Sequence, residues 1–236
     1  MTVDGHVELP LHRHPAPHRE LWRRYRHYGA QRGYQTSVLA SIICFFASVV
    51  VSFYAIQYAT ERASSSVSDI ILSNIPAFDV DGLFAVGTLL LIAFITLLLL
   101  AHPKRIPFAL NGLTVFFLIR SGFIMLTHIG PFPVQTPDAD WGTLLNHFLF
   151  SSDLFFSAHT GVPFLMALIF WRERSLRNVF LAWSVYMGVI VLLGHLHYSI
   201  DVVSAYFITY TIFCIVVWLF PKEHALFFSD TPVKIH

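Results

Sequence analysis

The sequence predicts an all-α integral membrane bundle of six transmembrane helices with both termini cytoplasmic, and three observations predict it. Hydrophobic residues fill 56% of the 236 positions and charged residues only 12%, about half the charged share of an ordinary soluble domain. Six long apolar runs, 36–58, 82–101, 107–128, 155–171, 178–196 and 200–220, approach the roughly 20 residues that cross a bilayer as a helix. The lysines and arginines then fall on one side of those six crossings, the side that basic loops mark as cytoplasmic.

Taken in order, residues 1–35 read as a basic cytoplasmic tail carrying Arg13, Arg19, Arg23, Arg24, Arg26 and Arg32. Histidines interleave with these arginines without a regular metal-ligand spacing, so the tail reads as a solvated segment against anionic headgroups. Residues 36–221 hold the six helices, and 222–236 form a second cytoplasmic tail with Lys222 and Lys234. Lys104 and Arg105 lie between helices two and three, and Arg172, Arg174 and Arg177 between four and five. Only Arg62, on the opposite face, and Arg120, within a helix, escape the pattern. Pro107 can open the third helix, because a first-turn proline gives up no intrahelical hydrogen bond. Pro221 stops the sixth. Cys44 and Cys214 each sit inside an apolar run, which suggests buried inert thiols and neither a disulfide framework nor a zinc motif.

This topology gathers polar residues at one depth on the non-cytoplasmic side. His159 begins helix four, His195 and His197 end helix five, and Asp201 begins helix six. His197 and Asp201 are four apart, a spacing that puts two side chains on one face of a helix. A carboxylate there fixes the imidazole tautomer and turns the other nitrogen outward as nucleophile or base. The same pair also suits a hydrogen bond that anchors a loop, and His195 reads as a loop histidine. Two imidazoles and a carboxylate together suit acid–base plus covalent catalysis.

Asp153, Ser157 and Thr160 crowd the same mouth. Asp153 is placed to orient His159, to bind a headgroup ammonium, or simply to favour a helix N-terminus. Arg120 stands thirteen residues beyond Pro107, roughly 20 Å along its helix and so in the outer half of a hydrocarbon core about 30 Å thick. An arginine at that depth calls for a phosphate, an acidic partner, or snorkelling to the interface. Asp79 and Asp81 read as loop and helix-cap acids, and Trp141 and Trp183 as interface or packing residues.

Four stretches carry a family resemblance. "SDLFFSAHTG" resembles the G-D-x3-SGHT motif of the sphingomyelin synthase family, and "HYSIDVVSAYFIT" resembles its HYTxDVxxAYxIT motif. "LIRSGFIMLTHIGPFP" is similar to the family's arginine-containing third-helix motif, and "IPAFDVDGLF" to its first motif. Ser152 and Ala158 replace two glycines of the pattern, and the K-x6-RP and SR-x6-H motifs of standard type 2 phosphatidic acid phosphatases, a wider group that includes this family, are missing.

The resemblance implies catalytic His159, His197 and Asp201 on the exoplasmic, periplasmic or lumenal side; the residues read as substrate-binding are Arg120, Asp153 and Ser157. The implied reaction moves a phosphocholine or phosphoethanolamine headgroup from a glycerophospholipid to ceramide or a similar lipid alcohol and releases diacylglycerol, through a phosphohistidine. The alternatives are a hydrolase using water on the same residues and a zinc-dependent membrane hydrolase using His159, His195, His197 and Asp201. On the first reading the partners are the donor lipid, the acceptor and the membrane, with no cofactor, no bound metal and no nucleic acid.

Overall fold

The computed structural model describes residues 17–133 and 155–229. The described elements are helices and connecting turns: α1 (Pro17–Gly29), α2 (Arg32–Glu61), α3 (Asp81–Ala101), α4 (Ile106–Leu126), α5 (Ala158–Ile169), α6 (Arg174–Leu193), α7 (Ser199–Leu219) and α8 (Pro221–Phe228). A 3-10 turn, Pro103–Arg105, leads into α4. Five of these segments, α2, α3, α4 with its leading turn, α6 and α7, are long and apolar enough to cross a membrane. They mark the chain as an integral, multi-pass membrane protein.

The fourth predicted span differs. Its helix has 12 residues, roughly 18 Å of rise, well short of a hydrocarbon core. Ser157 caps its start, its side chain accepting from the Thr160 N–H at 3.4 Å, and the chain turns out of the helix at Phe170. Eight of its residues are buried, among them Gly161, Leu165, Met166 and Ile169. It packs among α4, α6 and α7, and a helix walled by other helices need not match the bilayer.

The described parts of the two tails are helical, which the sequence did not suggest. The basic segment forms α1, and Pro221, which ends α7, opens α8 at its first position. Cys44 and Cys214 are exposed on the bundle surface. Thiols are weakly polar, so lipid-facing sites suit them as well as the core.

Small residues let α2 lie close along α4. Ser41, Ser48, Ser52, Ala55 and Ala59 form its buried stripe, the kind of face that lets membrane helices approach. Two of the serine hydroxyls bond within the helix, Ser41 donating to the Ser37 carbonyl and Ser48 to that of Phe45, each at 2.7 Å. Gly161 does the same for α5. A Cβ there would stand 2.8 Å from the Phe116 ring and 3.0 Å from Thr209 Oγ1.

Apart from Arg62 and Arg120, the described basic residues gather at one end of the bundle. There Tyr25 donates to the Leu100 carbonyl at 2.8 Å, Lys104 to the Ser229 carbonyl, and Arg105 pairs with Glu173 at 2.7 Å. α1 and α8 therefore meet the α3–α4 and α5–α6 turns at that end. At the opposite end the Phe78 N–H donates to the Leu193 carbonyl at 2.9 Å, and the Ser157 N–H to the Asp201 carbonyl at 3.1 Å.

Candidate active site

The end opposite the basic residues holds His159, His195, His197, Asp201 and Arg120. α6 finishes in a paired C-terminal motif: the Leu196 N–H reaches the Val191 carbonyl at 2.9 Å and the His195 N–H that of Leu192 at 3.2 Å. That motif puts the residue after the cap in the left-handed region, usually as glycine. Here Gly194 is the cap itself and His195 takes the left-handed position, at φ 55°. The chain then reverses, and His197 comes back over the start of α7.

His197 lies two residues before α7 begins, so its pairing with Asp201 is made across the helix start and not along a helix face. Asp201, in the first turn, reaches back: its Oδ2 lies 3.4 Å from His197 Nδ1 and accepts from the Tyr198 N–H at 3.0 Å. The two groups are 3% and 1% exposed. With Oδ2 as acceptor the proton is assigned to Nδ1, and the Nε2 lone pair faces away from the carboxylate. Asp201 Oδ1 is buried with no hydrogen-bond partner among the described residues.

His159 occupies the second position of α5. Its ring centroid lies 6.3 Å from that of His197 and 4.5 Å from that of Phe84 on α3, edge to face. Ser157 is fully buried and acts as the α5 cap. Gly188 of α6 approaches Thr160 and Val202 so closely that a Cβ would stand 3.5 Å from Thr160 Oγ1. Gly188 precedes the end of α6 by five residues, so the His159 turn is sunk roughly 8 Å below that end.

Arg120 is 2% exposed, which rules out snorkelling. Its Nε donates to the Phe156 carbonyl at 3.2 Å. Phe156 is itself buried with φ 21°, a conformation that L side chains rarely adopt and that persists only when neighbours enforce it. The arginine thus grips the backbone that presents Ser157 and His159.

Asp79 accepts weakly from the Asp81 N–H at 3.4 Å, and Asp81 is buried in the first turn of α3, as expected of helix-start acids. Asp153 and Trp141 lie outside the described residues. Trp183 stacks on Phe94, the planes 5° apart. Among the described residues no three His, Cys, Asp or Glu side chains are placed to share a metal ion, so His159, His195, His197 and Asp201 do not form a zinc ligand set.

Sequence reasoning missed Asp69. Its Oδ1 accepts from the Ile71 and Leu72 N–H groups at 2.8 and 3.0 Å, and its Oδ2 from the Ser199 N–H and hydroxyl at 2.8 and 2.7 Å. Burial raises its carboxyl pKa, but the donors from Leu72, Ser199 and Ile71 outweigh it and hold the group below its ordinary range. The local turn is legible as an aspartate bonding three residues on, but its bond to Ser199 spans 130 positions and leaves no local signal. Tyr198 was missed too. Its hydroxyl donates to the Gly130 carbonyl at 2.9 Å and accepts from the Val67 N–H at 3.2 Å, pinning two outer loops beside His197.

No curated protein and no solved structure matches the chain. Residues 151–219, which carry α5, α6 and α7 and with them His159, His197 and Asp201, match the family model described as PAP2 superfamily C-terminal. That match supports the type 2 phosphatidic acid phosphatase-like superfamily for this chain, and not the sphingomyelin synthase family in particular.

Proposed function

We propose that the protein is a membrane lipid phosphotransferase that moves a phosphocholine or phosphoethanolamine headgroup from a glycerophospholipid to ceramide or a similar lipid alcohol. The observation that carries this is the pairing of His197 with Asp201, opposite a second imidazole whose centroid is 6.3 Å away. That separation brings the two rings to one small space, where one can face phosphorus and the other the leaving oxygen.

In the first half-reaction His197 Nε2 forms a bond to phosphorus. The bond from phosphorus to the diacylglycerol oxygen breaks, and protonated His159 gives that oxygen its proton. In the second, His159 takes the proton of the acceptor hydroxyl, whose oxygen attacks phosphorus and releases His197. Asp201 supports the positive charge that His197 gains, and Arg120 supplies positive charge toward the phosphate oxygens. Ser157 holds the turn that presents His159, and Asp153 takes the headgroup ammonium. The headgroup and acceptor rest on the motif resemblance, and the exoplasmic placing of the site rests on the distribution of basic residues.

Hydrolysis is the second reading, with water in place of the lipid alcohol. The match to a phosphatidic acid phosphatase-like model favours it. The test is to incubate purified protein in vesicles with headgroup-labelled phosphatidylcholine or phosphatidylethanolamine, with and without ceramide. Transfer predicts a new labelled lipid only when ceramide is present, plus diacylglycerol in equal amount. Release of water-soluble headgroup regardless of ceramide would replace transfer by hydrolysis. On either reading His197→Ala loses the acid-labile phosphoenzyme and turnover together. His159→Ala loses turnover of ordinary lipids by roughly 10²–10⁴-fold, yet keeps it for a nitrophenyl phosphodiester, whose leaving group needs no proton. A labelled phosphoenzyme in His197→Ala would reverse the assignment.

A further inference from the structure

A groove of about 470 Å³ opens on the bundle surface between α3 and α6, lined chiefly by Leu83, Val86, Gly87, Leu90, Trp183 and Tyr186. At its floor the helices nearly touch, since a Cβ on Gly87 would stand 3.0 Å from Tyr186 Cε1. On α3 the lining runs from two to nine residues past Asp81, a depth of roughly 3–14 Å. That is the half of the hydrocarbon core nearest the histidines. Water has too few polar partners there, so the groove is a seat for hydrocarbon.

Both walls abut the turn that carries His159. Phe84, whose ring meets His159, follows Leu83 on α3. Ser184 follows Trp183 on α6 and donates to the Thr160 carbonyl at 2.7 Å. The indole nitrogen of Trp183 is buried with no hydrogen-bond partner among the described residues, although the wall is otherwise almost wholly apolar.

We propose that the α3–α6 groove seats an acyl chain of the lipid substrate while the phosphate of the same molecule lies between His159 and His197. This rests on the phosphotransfer reading of those histidines and adds which part of the lipid is selected, and where.

The test uses full-length protein in phosphatidylcholine vesicles doped with a phosphatidylcholine bearing a diazirine midway along one acyl chain. After photolysis, cross-links should concentrate on Val86, Leu90 and Trp183. Val86→Trp, which fills the groove, should abolish that concentration, whereas Leu97→Trp, on a 66% exposed α3 position outside it, should not. In turnover, Val86→Trp should lose roughly tenfold or more against a long-chain donor relative to a short-chain one. Cross-links no denser in the groove than at Leu97 and Phe207, or equal losses for long and short chains, would overturn the proposal. Focused cross-linking by a wild-type protein that turns over no phospholipid would strike the reaction and leave the chain seat standing.

Discussion

Arg120 holds a backbone carbonyl and, in the proposed reaction, also faces a phosphate. Its position made it an outlier in the sequence, and the cost of a charge at that depth required a partner. The partner found, the carbonyl of a strained Phe156, was not legible, because nothing in "DLFFSAHTG" announces a left-handed phenylalanine. His195 misleads in the same way: adjacent Gly194 looks like the residue made for positive φ, yet the histidine adopts it. Arg120→Ala should leave the Phe156 carbonyl without its charged donor and cost about 1.5–3 kcal/mol of stability. Turnover should fall by more than that loss explains, because the phosphate also loses a positive charge. Arg120→Lys should recover only part of each, since an ammonium cannot reproduce the planar fork. Thermal unfolding in detergent with initial rates on one donor separates the two effects. Wild-type turnover in a less stable Arg120→Ala would confine the residue to holding the loop.

Among elements, the long helices were legible because composition and length alone specify them, and boundaries moved by only a few residues. α5 was not, because the apolar run 155–171 looks like a span whether lipid or protein surrounds it. α1 and α8 escaped notice because their order comes from docking, through Tyr25 on Leu100 and Lys104 on Ser229, and not from hydrophobic length. The α2–α3 connection is held to the start of α7 by Asp69, whose folded pKa lies below the ordinary value of about 3.9. A depressed carboxyl pKa contributes stability that is present above the unfolded value and lost as pH falls through the folded one. The wild-type protein should therefore lose stability below about pH 4. Asp69→Asn should start about 1.5–3 kcal/mol less stable at neutral pH and converge on wild type in acid. Parallel curves for the two proteins down to pH 2 or so would show that the clamp does not titrate as described.

For the whole molecule, the basic end and the histidine end are opposite poles of the bundle, and the basic pole should face the cytoplasm. In a background lacking Cys44 and Cys214, a cysteine at exposed Ser73 should react with an impermeant thiol reagent in intact cells. One at exposed Lys222 should react only after the membrane is opened, and the reverse pattern would invert the molecule. The short α5 gives this test a further meaning. Counting only helices long enough to cross a bilayer gives five among the described residues, an odd number that would put the two chain ends on opposite sides. On the six-span reading α5 supplies the sixth crossing, since it runs from the Ser157–Asp201 contact at one pole toward the Arg105–Glu173 pair at the other. On that reading the least membrane-like helix decides sidedness, and fusions to the two termini should report the same compartment.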